Sequence, residues 1–264
     1  MSGSAYVSVP FDGLIAAYPM RDDASDWSGR AHHGSTHNVK LADRMGTTNA
    51  GLGFDGQTSV ITIPSHRDFS VNTTGYLSIS VWMRPDGTSL NEAGELLFQK
   101  TEGTGYVDWL GKGMVSGRHG NREWTFRVFS ADNTENRANR ISFYLFGQTG
   151  GRGPGCYVQE KVIRGNWIHL VAMASKPDHR IWLYRNAELV DTDGFGPNDS
   201  YPIPDAELQS GAAPVRMGSQ DGASYFRGAL ADVYFYNRKL TDIEIEILHA
   251  TSGAEAPVRR NAGR

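Results

Sequence analysis

Cysteine is almost missing from this chain: one residue, Cys156, stands among 264. A lone thiol excludes an internal disulfide, so stability has to come from a packed core, with or without a metal. An excess of either charge is also missing. The 26 basic and 29 acidic side chains nearly cancel to a net −3 and are mixed along the chain, which leaves no basic stripe for a phosphate backbone. Nucleic acid is therefore excluded as the expected partner. No apolar run is long enough to cross a membrane as a helix, and Met1 to Pro10 has neither a basic leader nor a hydrophobic segment of signal-peptide length. The expectation is a soluble chain, either cytoplasmic as it stands or a piece of a secreted parent. Helical periodicity is scarce, and no internal repeat is visible.

What is abundant is alternation. With 39% hydrophobic and 21% charged residues the chain can bury a substantial core. Short stretches rich in Val, Ile, Tyr, Phe and Trp recur between Gly, Asn, Asp and Pro clusters, the pattern of half-buried strands joined by turns. The strongest span 14–18, 60–63, 77–84, 96–100, 124–129, 141–146, 167–174, 180–185, 188–191, 215–218 and 228–236. So many strands predict two packed sheets. In residues 77–84, Leu77, Ile79, Val81 and Met83 alternate with Ser78, Ser80, Trp82 and Arg84, which directs one side into a core and leaves Trp82 as the exception on the other. Glycine-rich regions at 103–122 and 147–155 read as loops, where binding chemistry usually sits. Leu240, Ile243, Ile247 and Leu248 share a helical face, and Thr241 with Glu244 fits a capping box, so a short C-terminal helix is expected. Length is compatible with one domain over residues 1–252, followed by a disordered tail over 253–264.

Three opening segments carry a resemblance: Gly13-Leu-Ile-Ala-Ala-Tyr-Pro, Asp26-Trp-Ser-Gly-Arg-Ala-His-His-Gly and Gly53-Phe-Asp-Gly. Gly165-Asn-Trp-Ile-His-Leu-Val and Leu230-Ala-Asp-Val-Tyr-Phe-Tyr-Asn-Arg-Lys-Leu continue it, in the same order. Together they resemble laminin-G-like jelly-roll domains of the concanavalin A-like lectin/glucanase superfamily. The resemblance implies an all-β, two-sheet antiparallel jelly-roll sandwich with a short C-terminal helix. One departure stands out: members often have Asn-Gly in the hairpin after residues 181–184, whereas this chain has Asn186-Ala187, which predicts a different turn. Function is not chosen by such a fold, because it hosts lectins, adhesion domains, hydrolases and lyases.

Catalytic signals are weak. Asp242-Ile-Glu-Ile-Glu246 resembles the catalytic stretch of laminarinase-type hydrolases if read as a strand, yet its place after the last strand and its cap favour a helix. A Cys156–His169 pair is conceivable, but a buried, inert cysteine is the simpler reading. His32, His33 and His37 match no compact tetrahedral spacing and read as loop histidines. Calcium suits a loop-rich sandwich better. The resemblance maps a structural calcium onto Asp26, Gly56 and Asp232, with turn capping as the competing role for these carboxylates.

Carbohydrate recognition needs an aromatic ring to stack on a sugar and planar polar groups to bind its hydroxyls. Alternation places Arg127 and Tyr144 on one exposed surface. Tyr106, Asp108 and Trp109 join them from one loop, Asn139 and Arg140 from another, and Tyr157, Gln159 and His169 from neighbouring strands. Stacking is expected from Trp109 or Tyr157, and hydrogen bonds from Arg127, Asp108 and Asn139. The leading expectation is a non-catalytic, lectin-like module that binds glycan or polysaccharide. Its alternatives are an adhesion domain for protein partners and a hydrolase or lyase.

Overall fold

The alternation becomes two stacked antiparallel sheets in the computed structural model, which describes residues 9–100, 105–113, 122–147, 153–205, 208 and 211–251. Along the chain run β1 (Leu14–Tyr18), β2 (Ser35–His37), β3 (Lys40–Arg44), β4 (Thr47–Asp55) and β5 (Val60–Ile63). A 3-10 turn at Arg67–Phe69 and a single helical turn, α1 (Val71–Thr74), lead into β6 (Tyr76–Pro85), β7 (Ser89–Leu90) and β8 (Leu96–Leu97). Then come β9 (Tyr106–Lys112), β10 (Trp124–Phe129), β11 (Ile141–Leu145), β12 (Gly155–Tyr157), β13 (Ile168–Ser175) and β14 (Arg180–Arg185). The chain closes with β15 (Glu188–Gly194), β16 (Val215–Met217), β17 (Arg227–Tyr236) and the helix α2 (Asp242–Ala250).

One sheet has the order β15-β14-β13-β6-β17-β4-β3, with β1 also paired to β17; the other runs β12-β11-β10-β9-β16-β5-β2. Strands distant in sequence lie side by side, as a jelly roll requires. The main core lies between the sheets: Leu77, Ile79, Val81 and Met83 of β6 meet the layer that holds Phe126 and Val128 of β10 and Phe143 of β11. The other side of the first sheet is not left to solvent. Ala17, Val171, Met173, Tyr184, Tyr234 and Tyr236 form a second apolar cluster with Leu240, Ile245 and Leu248 from α2 and its approach. This is why β6 and β13 are buried on both faces, and why Trp82 is no exposed exception.

Three expectations change. The glycine-rich stretch 103–122 is not all loop, because Tyr106–Lys112 is a central strand between β10 and β16. The capping box of α2 is present, with Thr241 Oγ1 and Glu244 reciprocally bonded, but the buried face is Ile245 with Leu248, and Ile243 points to solvent. The hairpin at Asn186-Ala187 keeps the left-handed geometry an Asn-Gly pair would adopt, with φ of 50° and 68°. Register demands it: β14 and β15 pair with Arg185 opposite Glu188, which leaves a two-residue turn, and Asn186 Oδ1 accepts a hydrogen bond from the His169 amide at 3.1 Å. The tail 253–264 lies outside the described residues.

Candidate functional site

On the face of the second sheet that points away from the core, β9 to β12 carry a cleft of about 680 Å3. Its floor follows from register. Arg127 of β10 lies opposite Asp108 of β9 and Ser142 of β11, and Thr125 lies opposite Tyr144, so these side chains project together. The Arg127 guanidinium is held between two rings, 4.2 Å from the centre of Tyr106 and 4.4 Å from that of Tyr144. Stacking of this kind favours the cation strongly where water is largely excluded. Beneath it, Asp108 accepts from Arg127 Nε at 2.8 Å, Thr125 Oγ1 at 3.1 Å and Arg122 Nη2 at 3.1 Å. Burial works against the charge of Arg127, yet Asp108 outweighs it and the pKa is raised.

A second arginine finishes the wall. Arg137 Nη1 donates to the Tyr157 hydroxyl at 2.5 Å and to that of Tyr144 at 3.2 Å, and it pairs with Glu135 at 3.1 Å. Its guanidinium also lies 4.3 Å from the Tyr157 ring centre, and the two tyrosine rings meet edge to face at 5.7 Å. Across the cleft, Asp193 of β15 accepts from the Gly155 amide at 2.8 Å, and Asp191 accepts from the Tyr157 amide at 2.9 Å, which ties the edges of the two sheets together. Gly155 is required there: a Cβ at that position would come within 2.5 Å of the Tyr144 ring. Tyr201, nearly half exposed, stands on the rim.

Of the residues expected from sequence, Tyr106, Arg127, Tyr144 and Tyr157 line this cleft. The others go elsewhere for identifiable reasons. Trp109 is fully buried, because alternation along β9 sends it to the core side with Val107 while Tyr106 and Asp108 face the cleft, and it packs there against Phe126 and Phe226. It offers no face to a sugar. Asp108 is buried and engaged with its three donors, so it braces Arg127 instead of meeting a ligand. Asn139 is also buried and substitutes for a strand neighbour, accepting from Leu96 N at 2.6 Å and donating to Leu96 O at 2.7 Å. Arg140 and Gln159 are not among the lining residues. His169 belongs to the other sheet, fully buried under α2 between Trp82 and His249, with Ser80 Oγ 2.8 Å from its Nε2. Burial, with His249 and Arg44 close by, pushes its pKa down to about 3.

Glu135, Arg137, Asp193 and Tyr201 were not legible beforehand. Arg137 and Glu135 sit in a charged turn with no alternation to orient them, and Asp193 lies beyond the predicted end of its strand. Cys156 is buried in the core between the sheets, where desolvation drives its thiol pKa upward, so it forms no pair with His169 on the far face. Asp242 accepts from Tyr184 Oη at 3.1 Å and Glu244 from Arg238 Nη1 at 2.8 Å, so the Asp-Ile-Glu-Ile-Glu stretch serves the helix.

The residues proposed for calcium do not fit it. Asp26 spends both oxygens on protein donors: Ala17 N at 2.9 Å, Ser28 N at 2.9 Å, Ser28 Oγ at 2.8 Å and His32 N at 3.0 Å. Asp232 is ion-paired with the buried Arg44, a cation where a second cation would have to sit. Gly56, at φ 74°, serves the turn between β4 and β5, whose amides Asp55 caps. Calcium takes six to eight oxygens, and the two carboxylates here are already engaged by protein donors and by Arg44.

A family model described as the concanavalin A-like lectin/glucanases superfamily matches residues 55–246. The sequence matches none of the curated proteins. Among solved structures, domain 4 of an extracellular arabinanase from Geobacillus stearothermophilus, in complex with arabinotriose, is similar at a TM-score of 0.58 and 17% identity; the alignment covers 89% of this chain and 98% of that one. The binding domain of botulinum neurotoxin DC is similar in two complexes. That with SialylT has a TM-score of 0.59 and 15% identity, and that with rat synaptotagmin II has 0.60 and 14%; each covers 92% of this chain and 52% of the toxin domain. The chain thus spans about half the length of those toxin domains, and at these identities the likeness is one of fold.

Proposed function

Since the chain belongs to the concanavalin A-like lectin/glucanases superfamily and carries an aromatic, arginine-braced cleft on the outer face of its second sheet, we propose that it binds carbohydrate there without cleaving it. The observation that carries this reading is the wall of Tyr144, Tyr157 and Arg137. Rings and a planar guanidinium are locked to one another before any ligand arrives, so little conformational entropy is lost on binding. Tyr157 and Tyr201 offer faces for stacking, and Arg137, Glu135 and Asp193 offer donors and acceptors for hydroxyls.

Charge narrows the class of sugar. Among the described residues, Arg127 and Arg122 share Asp108, Arg137 is matched by Glu135, and Asp193 adds a further carboxylate, so these groups carry no positive surplus for an acidic sugar. Neutral oligosaccharides fit it better. Hydrolysis is not favoured: Asp193 accepts backbone amides on both oxygens, from Gly155 and Gly194, and Glu135 is exposed and ion-paired, so neither resembles a carboxyl held protonated as an acid. Among the described residues the tyrosine, histidine and arginine set of a lyase is not assembled either, because His169 lies on the other sheet.

A broad glycan array, followed by calorimetry on the best ligand, tests the reading. Neutral glycans should bind, chelator should leave binding unchanged, and Arg137→Ala or Tyr157→Ala should weaken it tenfold or more. A blank array with a folded protein would overturn the reading in favour of protein recognition, for which the toxin domain solved with rat synaptotagmin II is a precedent on this fold.

A further inference from the structure

Away from the cleft, the fold draws together three side chains that the sequence leaves far apart. His32 lies in the connection between β1 and β2, whereas His66 and Asp68 belong to the 3-10 turn after β5. One ring nitrogen of each histidine and one carboxylate oxygen of Asp68 lie within 4.8 Å of one another. His32 Nε2 is 3.2 Å from Asp68 Oδ2, His66 Nδ1 is 3.4 Å from Asp68 Oδ1, and the two imidazole centres are 4.5 Å apart. We infer that His32, His66 and Asp68 form a binding site for a borderline divalent transition metal such as zinc.

The donor set selects the ion. Two imidazoles and one carboxylate suit zinc, cobalt, nickel or copper, while calcium and magnesium demand oxygen throughout. Size is compatible: ligand bonds of about 2.0–2.1 Å in a tetrahedral zinc site imply ligand atoms roughly 3.3 Å apart, and one atom from each of the three residues already lies within 4.8 Å of the others. His66 Nδ1 now accepts from the Asp68 amide at 3.3 Å, and it has to give up that bond to take an ion. His66 is about half exposed and can turn to do so, while His32 is held by its backbone amide on Asp26 and by its ring against Phe69. Such a preset residue, its backbone fixed by Asp26, lowers the conformational cost of assembling the site. Arg30 is an opposing charge, 3.7 Å from Asp68 and half exposed, and its Nε is held by the Leu14 carbonyl at 3.1 Å, so a bound cation has to outcompete it for Asp68. Three protein ligands leave the fourth position for water. An ion here would clamp the first long loop to the turn whose Phe69 carbonyl accepts from the buried Trp124 indole at 2.9 Å, so its effect falls on stability.

The test is a cobalt titration of the untagged full chain, followed by its visible ligand-field absorption and by displacement with zinc. The expected result is one equivalent bound, an absorption band lost on zinc addition, no competition from calcium, and a melting temperature raised by zinc. His66→Ala and Asp68→Asn should weaken binding at least tenfold, and His37→Ala should not. Should the half-buried His32→Gln variant fail to fold, the exposed His66→Ala variant still decides the matter. Absence of a band, or cobalt affinity unchanged in His66→Ala, would overturn the site.

Discussion

Both outer faces of this sandwich carry the same chemical device, an arginine stacked on aromatic rings and paired with an aspartate. On the first sheet, Arg44 lies 4.5 Å from the Trp82 ring and 5.7 Å from Trp167, and is paired with Asp232. On the second, Arg127 lies between Tyr106 and Tyr144 and is paired with Asp108. The difference is the cover. Over Trp82 lies His249 of α2, stacked at 5.5 Å and 13°, and the assembly is sealed into a second core. Over Tyr144 and Tyr157 the described residues leave a cleft. What a strand presents on its outer face therefore does not make a site; what lies above it does.

The largest effect should come from breaking the sealed pair. Arg44→Met takes from the buried Asp232 the cation that stacks on Trp82, and should lower the unfolding free energy by about 3 kcal/mol while leaving glycan affinity as it was. Urea denaturation beside calorimetry checks both halves of that statement, and an accompanying loss of affinity would show that the two faces are coupled. Acid should discriminate between the faces next. His169 is neutral in the fold because its pKa is depressed to about 3, whereas in the unfolded chain it titrates near its ordinary value. As the pH falls below about 6.5 the unfolded state alone takes up the proton, so stability is lost progressively, by about 2 kcal/mol at pH 5. In His169→Gln the pH 5 to 7 slope should flatten, and an unchanged slope would place the acid sensitivity elsewhere.

On the open face, Gly155→Ala drives a methyl into the Tyr144 ring, and sugar affinity should fall about tenfold, or about 1.4 kcal/mol, with a much smaller change in the far-side helix packing. Unaltered affinity would remove Tyr144 from the recognition surface. The smallest effect concerns neither face directly. Ala187 holds a left-handed conformation in the β14–β15 hairpin, and Ala187→Gly should raise stability by about 1 kcal/mol in thermal melts, with binding unaffected.

How much of this was legible depends on whether the information is local. Leu77, Ile79, Val81 and Met83 announce a core-facing strand because side-chain period and strand period coincide, and Thr241 with Glu244 announces a helix start because both ends of the cap lie within one turn. Arg127 and Tyr144 could be placed on one surface by the same alternation. Trp109 was not placed, since the glycine-rich stretch around it reads as a loop and offers no strand to alternate along, whereas within β9 alternation puts it on the core side with Val107. His169 failed for a different reason: its strand was legible, but both faces of that strand are buried, and which cover each face receives depends on a helix some 70 residues later.

The sequence by itself determined the class of the fold, most of its strands, the closing helix and the absence of any disulfide, because each rests on periodicity, capping or composition within a short window. Only the tertiary structure decided which face is a site, which aspartates are satisfied and which histidines meet, because those depend on pairings between β9 and β10, between β12 and β15, and between the first loop and the turn at Arg67–Phe69. Contacts of that range are fixed by register and cover, which no local pattern encodes.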